Sequence, residues 1–247
     1  GDDVKRTICA IRDLGCRAES LGSGRWTIQG RGIGGLSPST RVLEMGNSGT
    51  AARLLLGVLA GHNFSTFLTG DRSLRQRPMD RITFPLSKMG AFFTTSEGHL
   101  PIAITGPESL LPLTYRLPVA SAQVKSAILL AGLCAPGETT VIETEPTRDH
   151  TERMIRQFGG KVQIRPYKNG GNSITVTGQP ELEPTEIYVP ADFSSAAFAI
   201  VGALTIPSSR IVLPSVGINQ GRIGLLTTLN EMGAKIEMVR KNHERAE

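Results

Sequence analysis

Residues 48–61 read SGTAARLLLGVLAG. Two later stretches share the pattern: SAQVKSAILLAGL from Ser121 and SSAAFAIVGAL from Ser194. The three serines stand 73 residues apart. Each stretch is apolar on nearly all faces of a helix, which predicts a buried helix. A second set lies between them: IRDLGCRAES, LSKMGAFFTT, IRQFGGKVQI and LNEMGAKIEM, sharing Gly15, Gly90, Gly159 and Gly233. Each reads as an amphipathic helix stopped by a glycine at the position after the cap, followed by a strand. Their charges, such as Arg12, Asp13, Lys88, Arg153, Arg156 and Glu231, place one face toward solvent. After the first three come a turn and another strand: RWTIQG, LPIAITG and NSITVTG.

The repeating unit is therefore strand, buried helix, strand, exposed helix, hairpin: βαβαββ, about 73 residues long. Residues 1–30 form the second half of one unit, 31–106 a complete unit, and 107–188 another with its connection. Residues 189–247 begin a further unit, assigned to a second domain, and stop before its last strand. The sequence opens and closes within a repeat, so part of a longer protein is expected. Rotation of equivalent helices about one axis would gather their N-termini at one end, where partial positive charge converges.

Composition narrows the partners. A net charge of +5 over 247 residues suits an anionic ligand. One Trp and few aromatics beside the basic residues argue against stacking on nucleic-acid bases, despite the cluster Arg72–Arg81. Cys9, Cys16 and Cys134 form no CxxC, which argues against a zinc site or a disulfide framework and fits a reducing cytoplasm. No apolar run approaches the roughly 20 residues of a membrane span, and no signal peptide is visible.

Chemistry is concentrated at a few turns. MGNSGT, residues 45–50, puts Gly and Asn before a helix start, capped by Ser48 or Thr50. It is either an ordinary cap or an anion site, and it lacks the Gly-Lys-Ser/Thr of a P-loop. GRGIGG, residues 30–35, matches the dinucleotide glycine pattern, but Pro38 opposes the helix such a site needs, leaving a flexible connection. In QRPMDR, Pro78 holds Arg77 in extended geometry. Arg77 then either forks onto an anion or pairs with Asp71 or Asp80. At Ser121-Ala122-Gln123, a hydroxyl, main-chain amides and a side-chain amide converge at a helix start. Lys125 in that helix is expected to snorkel to solvent. In PTRDHTERM, Asp149 or Thr151 caps the next helix, Glu152 fits its first turn, and His150 is read as packing. Arg148 has no helix role and is a ligand candidate. Asp192 reads as a cap.

Together, GNSGTAAR, TGDRSLRQRPM, ASAQVKSAILLAGL, PTRDHTE and VPADFSSAAF resemble the 5-enolpyruvylshikimate-3-phosphate synthase family along essentially the whole chain. The resemblance implies an α/β fold of βαβαββ units around a pseudo-threefold axis, the inside-out α/β barrel of enolpyruvyl transferases. It implies transfer of the enolpyruvyl group of phosphoenolpyruvate to the 5-hydroxyl of shikimate 3-phosphate, with release of phosphate. It implies no metal or organic cofactor. Carried over by motif, Ser121, Ala122, Gln123 and Arg148 bind shikimate 3-phosphate; Gly49, Arg77 and Gln123 line the phosphoenolpyruvate site. Glyphosate competes with phosphoenolpyruvate in the family, and Gly49 implies sensitivity. The family's Lys-Ser…Arg motif and its proton-transfer acids are not in this sequence, so no catalytic residue is assigned and a complementary C-terminal domain is expected for activity. The alternatives are a non-catalytic phosphate-ligand module, or the related transferase acting on UDP-N-acetylglucosamine, whose reactive cysteine loop is not seen.

Overall fold

The computed structural model describes residues 1–239. A half unit comes first: α1 (Asp2–Asp13), then the hairpin β1 (Arg17–Gly22) and β2 (Arg25–Gln29). The next unit runs β3 (Leu43–Glu44), α2 (Gly49–Leu59), β4 (Ser65–Thr69), a short α3 (Arg72–Arg75), α4 (Asp80–Lys88), β5 (Phe92–Ser96) and β6 (His99–Thr105). The third runs β7 (Thr114–Arg116), α5 (Ala122–Gly132), β8 (Glu138–Glu143), α6 (His150–Gln157), β9 (Val162–Pro166) and β10 (Asn172–Thr177). The two sheets have the same order, β3-β4-β6-β5 and β7-β8-β10-β9. In both, the first pair is parallel and the others antiparallel. Two stretches of different sequence thus fold into one topology, as the repeat requires.

The shared glycines end their helices as read. Gly15, Gly90, Gly159 and Gly233 each lie one residue past a helix C-cap with φ between 85° and 103°, which a side chain with a Cβ rarely adopts.

Alternation along β4, β6, β8 and β10 turns one face of each sheet inward, with Leu68, Ile102, Ile104, Val141, Ile174 and Val176 buried. These faces cover α2 and α5, whose Leu55, Leu56, Leu59, Ile128 and Leu129 complete the core. Each such side chain contributes about 1.5–3 kcal/mol on burial. The helices touch backbone to backbone: a Cβ on Gly57 would stand 2.3 Å from the carbonyl oxygen of Ala127. One on Gly61 would stand 2.5 Å from Cys134 Sγ. Gln123 meets Thr50 and Arg53 at the other end of the seam. Contact partners advance together along both chains, so the helices are parallel and their N-termini lie at the same end.

The fourth repeat departs from expectation. It holds α7 (Phe193–Thr205) and α8 (Gly224–Glu231), but residues 178–239 form no ladder beyond a bridge between Ala191 and Val216. No sheet from its own unit therefore covers α7. Only Phe193 and Ala196 of α7 are buried, and Phe198 is 84% exposed. The strand expected after Gly233 does not form in residues 234–239. The α7 cap is as expected: Asp192 accepts from the Ser195 amide at 2.8 Å, a carboxylate two residues before Ser194, the counterpart of Ser48 and Ser121. No helix among the described residues is long and apolar enough to cross a membrane.

His62, at the end of the α2 turn, is buried. Its Nδ1 lies 3.0 Å from the Val58 carbonyl, which can only accept, so Nδ1 carries the proton and the buried Nε2 has no partner among the described residues. Burial pushes the imidazole pKa down, against the Val58 bond. Stability is then complete above the unfolded value of about 6.5 and falls as pH drops through the lower folded value, by at most about 1.4 kcal/mol per pH unit. Thermal unfolding at pH 7.5 and 5.5 should show the loss, and His62→Leu should flatten it.

Candidate anion site at the paired helix starts

Ser48 caps α2, accepting from the Ala51 amide at 3.3 Å, and Ser121 caps α5, accepting from the Val124 amide at 3.4 Å. Each cap leaves its helix's first turn facing the common end. Gly49, in the first turn of α2, is buried, and a Cβ there would stand 3.0 Å from Arg77 Nη1. The absence of a side chain is what lets that guanidinium lie against the helix start.

Arg77 is half-buried on the turn after α3. Its Nη2 donates to Asn47 Oδ1, and Asn47 Nδ2 donates to Asp71 at 2.7 Å. Asp71 caps α3 by accepting from the Leu74 amide; that bond, then Asn47, holds its carboxyl below the usual range. Arg77 is thus aimed by a relay of hydrogen bonds. It forms no ion pair with Asp71 or Asp80 among the described residues.

Gln123 joins the two helix starts. Its Oε1 accepts from Arg53 Nη1 at 2.6 Å, and its Nε2 donates to Thr50 Oγ1 at 2.8 Å. Arg53 Nη2 donates to the Pro78 carbonyl at 3.2 Å. Burial, then Arg81 and Arg77, lowers the pKa of the Arg53 guanidinium. A cation held near two others and two helix N-termini is relieved by a bound anion.

Gly49, Arg77 and Gln123 therefore come together, with Ser121 and Ala122 beside Gln123 at the start of α5. Arg148 is half-buried on the loop before α6, against the chain at Gly221, where a Cβ would stand 3.2 Å from its Cγ. Beside it, Asp149 accepts from Arg153 at 2.8 Å and from Asn219 at 2.7 Å. Burial raises the Asp149 pKa, but these bonds outweigh it and keep the carboxyl below its ordinary value. His150 opens α6 at the surface rather than packing inside. It lines a cavity of about 300 Å³ with Tyr188, Phe193 and Arg222, separate from the residues around Gly49.

One reading needs correction. Lys125 does not snorkel; it is buried at 0% exposure, 2.7 Å from Glu152 and 3.1 Å from Glu143. Glu152 stands in the first turn of α6 as expected, and its carboxylate also faces the interior as a partner of Lys125. Sequence reasoning also passed over Arg53 as a site residue. Its signal was present: it is the lone charge in an apolar helix, one turn after Gly49.

The family model for EPSP synthase (3-phosphoshikimate 1-carboxyvinyltransferase) matches residues 1–247. The 3-phosphoshikimate 1-carboxyvinyltransferase of Paramagnetospirillum magneticum is 56% identical over 96% of this chain and 53% of its own length. That of Granulibacter bethesdensis is 55% identical over 100% of this chain and 55% of its own. The solved EPSP synthase of Acinetobacter baumannii superposes with a TM-score of 0.82 at 48% identity, over 94% of this chain and 52% of that one. The chain spans about half the length of the curated relatives it matches. Matched from end to end by the family model, and 48–56% identical to these relatives over at least 94% of its length, the chain belongs to the EPSP synthase family.

Proposed function

We propose that this chain forms the anion-binding wall of an enolpyruvyl transfer site. On this reading Ser121, the Ala122 amide, Gln123 and Arg148 hold shikimate 3-phosphate, while Gly49, Arg77 and Gln123 face phosphoenolpyruvate. The observation that carries it is the junction of two parallel helix starts through Gln123, with Arg53 and Arg77 beside it. Both substrates are anions, and forked guanidiniums with helix N-termini neutralise phosphate and carboxylate. Residues 1–188 are the unit that carries this wall, and 189–247 begin a second domain. Transfer also needs a proton delivered to the methylene carbon and one removed from the attacking hydroxyl. The site groups here are donors and cations, so the chain by itself binds without turning over. Its setting is the cytoplasm, and glyphosate competes for the Gly49–Arg77 end.

The test is an NMR titration with shikimate 3-phosphate. Saturable shifts are expected at residues 48–53 and 121–124, with affinity falling at least about tenfold, or 1.4 kcal/mol, in Arg148→Ala. No shifts in a well-dispersed spectrum would defeat the reading. Phosphate release from both substrates by this chain alone would defeat its non-catalytic part.

A further inference from the structure

Beneath the proposed site lies a buried charge cluster that the binding residues do not account for. Lys125 Nζ sits 2.7 Å from Glu152 Oε1 and 3.1 Å from Glu143 Oε2, with all three side chains at most 2% exposed. Lys125 lies one turn into α5, its amide bonded to the Ser121 carbonyl. Glu143 ends β8, and Glu152 lies in the first turn of α6. The cluster converges on Thr147. Glu143 Oε2 accepts from the Thr147 amide at 3.2 Å and from its hydroxyl at 2.8 Å, and Lys125 Nζ points at the Thr147 carbonyl at 3.5 Å. Asn172 Nδ2 steadies the other Glu143 oxygen at 3.3 Å. Ser126 and Thr151 add a hydroxyl pair at 2.6 Å between α5 and α6. Every polar group of the Thr147 residue is thus gripped from inside, and Arg148 follows it directly.

We propose that Lys125, Glu143 and Glu152 are positioning residues that fix Arg148 in register with the α5 start. The proposal rests on the reading of Arg148 and Ser121 as one phosphate subsite. A buried ion cluster is a poor way to gain stability, because desolvation offsets most of the attraction. It does define a geometry, since each charge must meet its partner at hydrogen-bond distance. The site needs such a device: Ser121 and Arg148 lie on separate elements, and the structure links them through Lys125 and Thr147.

Glu143→Gln is the probing variant. It keeps the shape but turns one accepting oxygen into a donor, which opposes either the Thr147 donors or the Asn172 amide. Hydrogen exchange of the unliganded chain is read first. The Thr147 amide should exchange at least about tenfold faster while the α2 core amides stay protected, corresponding to a local opening cheaper by 1.4 kcal/mol. Unchanged Thr147 exchange, or equal loss of protection throughout α2, overturns the proposal. Shikimate 3-phosphate binding is read second. Affinity should fall about tenfold for Glu143→Gln alone but less than about twofold when Arg148→Ala is already present, the coupling expected of neighbours acting together. Equal losses in both backgrounds overturn the proposal, since a purely structural role would weaken both alike. Absence of binding by the unmodified chain defeats the half-site reading instead, and the exchange result still decides whether the cluster holds Thr147.

Discussion

Gly57→Ala should destabilise the chain by about 2 kcal/mol, although alanine is the better helix former. The gain in helix propensity is about 1 kcal/mol. Against it stands a methyl group placed 2.3 Å from the Ala127 carbonyl oxygen and 2.7 Å from Ala127 Cα. These are backbone atoms at the centre of α5, so no rotamer change makes room. α2 and α5 must separate, at an overpacking cost near the upper end of the usual range, about 3 kcal/mol. Gly202→Ala is the matched control. It is the same change in the interior of α7, where an added Cβ meets nothing within 4 Å. It should be neutral or stabilising by up to about 1 kcal/mol. Urea unfolding of both variants gives the comparison. If Gly57→Ala is as stable as the parent, the helices do not approach as closely as described, and the junction at Gln123 loses its support. The effect should reach the site: parting the helices stretches the Gln123 bonds to Arg53 and Thr50, so shikimate 3-phosphate binding should weaken as well.

Much of this arrangement was legible in the sequence because repetition multiplies weak signals. One glycine after an amphipathic stretch is an ordinary hint; four at matched spacing fixed the helix ends, and all four adopt positive φ. The succession of elements in the two complete units followed, since equivalent segments fold alike. What failed to read out depended on partners remote in sequence. The fate of Lys125 is decided by Glu143 at a strand end and Glu152 on another helix. Nothing in the local pattern of α5 distinguishes a lysine that snorkels from one met by two interior carboxylates. The exposure of α7 has the same origin. An apolar helix states that it wants cover, but not whether a sheet is there to give it. The α7 cap did read out, because capping is local: the Asp192 carboxylate stands within reach of the amides that open the helix.

The buried cluster yields the other large effect. Lys125→Met should cost about 3–5 kcal/mol, the range seen when one partner of a buried ion pair is removed and the other charge stays uncompensated. Here two carboxylates stay behind, and Glu152 Oε2 already has no hydrogen-bond partner among the described residues. Against a typical domain stability of about 5–15 kcal/mol, the loss is large enough to move a urea midpoint far outside error. Adding Glu143→Gln and Glu152→Gln should recover at least half of it, because the variant no longer buries unpaired charge. A Lys125→Met chain within about 1 kcal/mol of the parent would mean that the ammonium does not neutralise the carboxylates, and the cluster would lose its rationale. Stability and binding should then separate. The triple variant regains fold but not the geometry around Thr147, since its amide no longer meets a carboxylate held by an ammonium. Shikimate 3-phosphate affinity should therefore stay low after stability has largely returned. That pattern is what a network kept for orientation predicts, whereas one kept only for folding would restore both together.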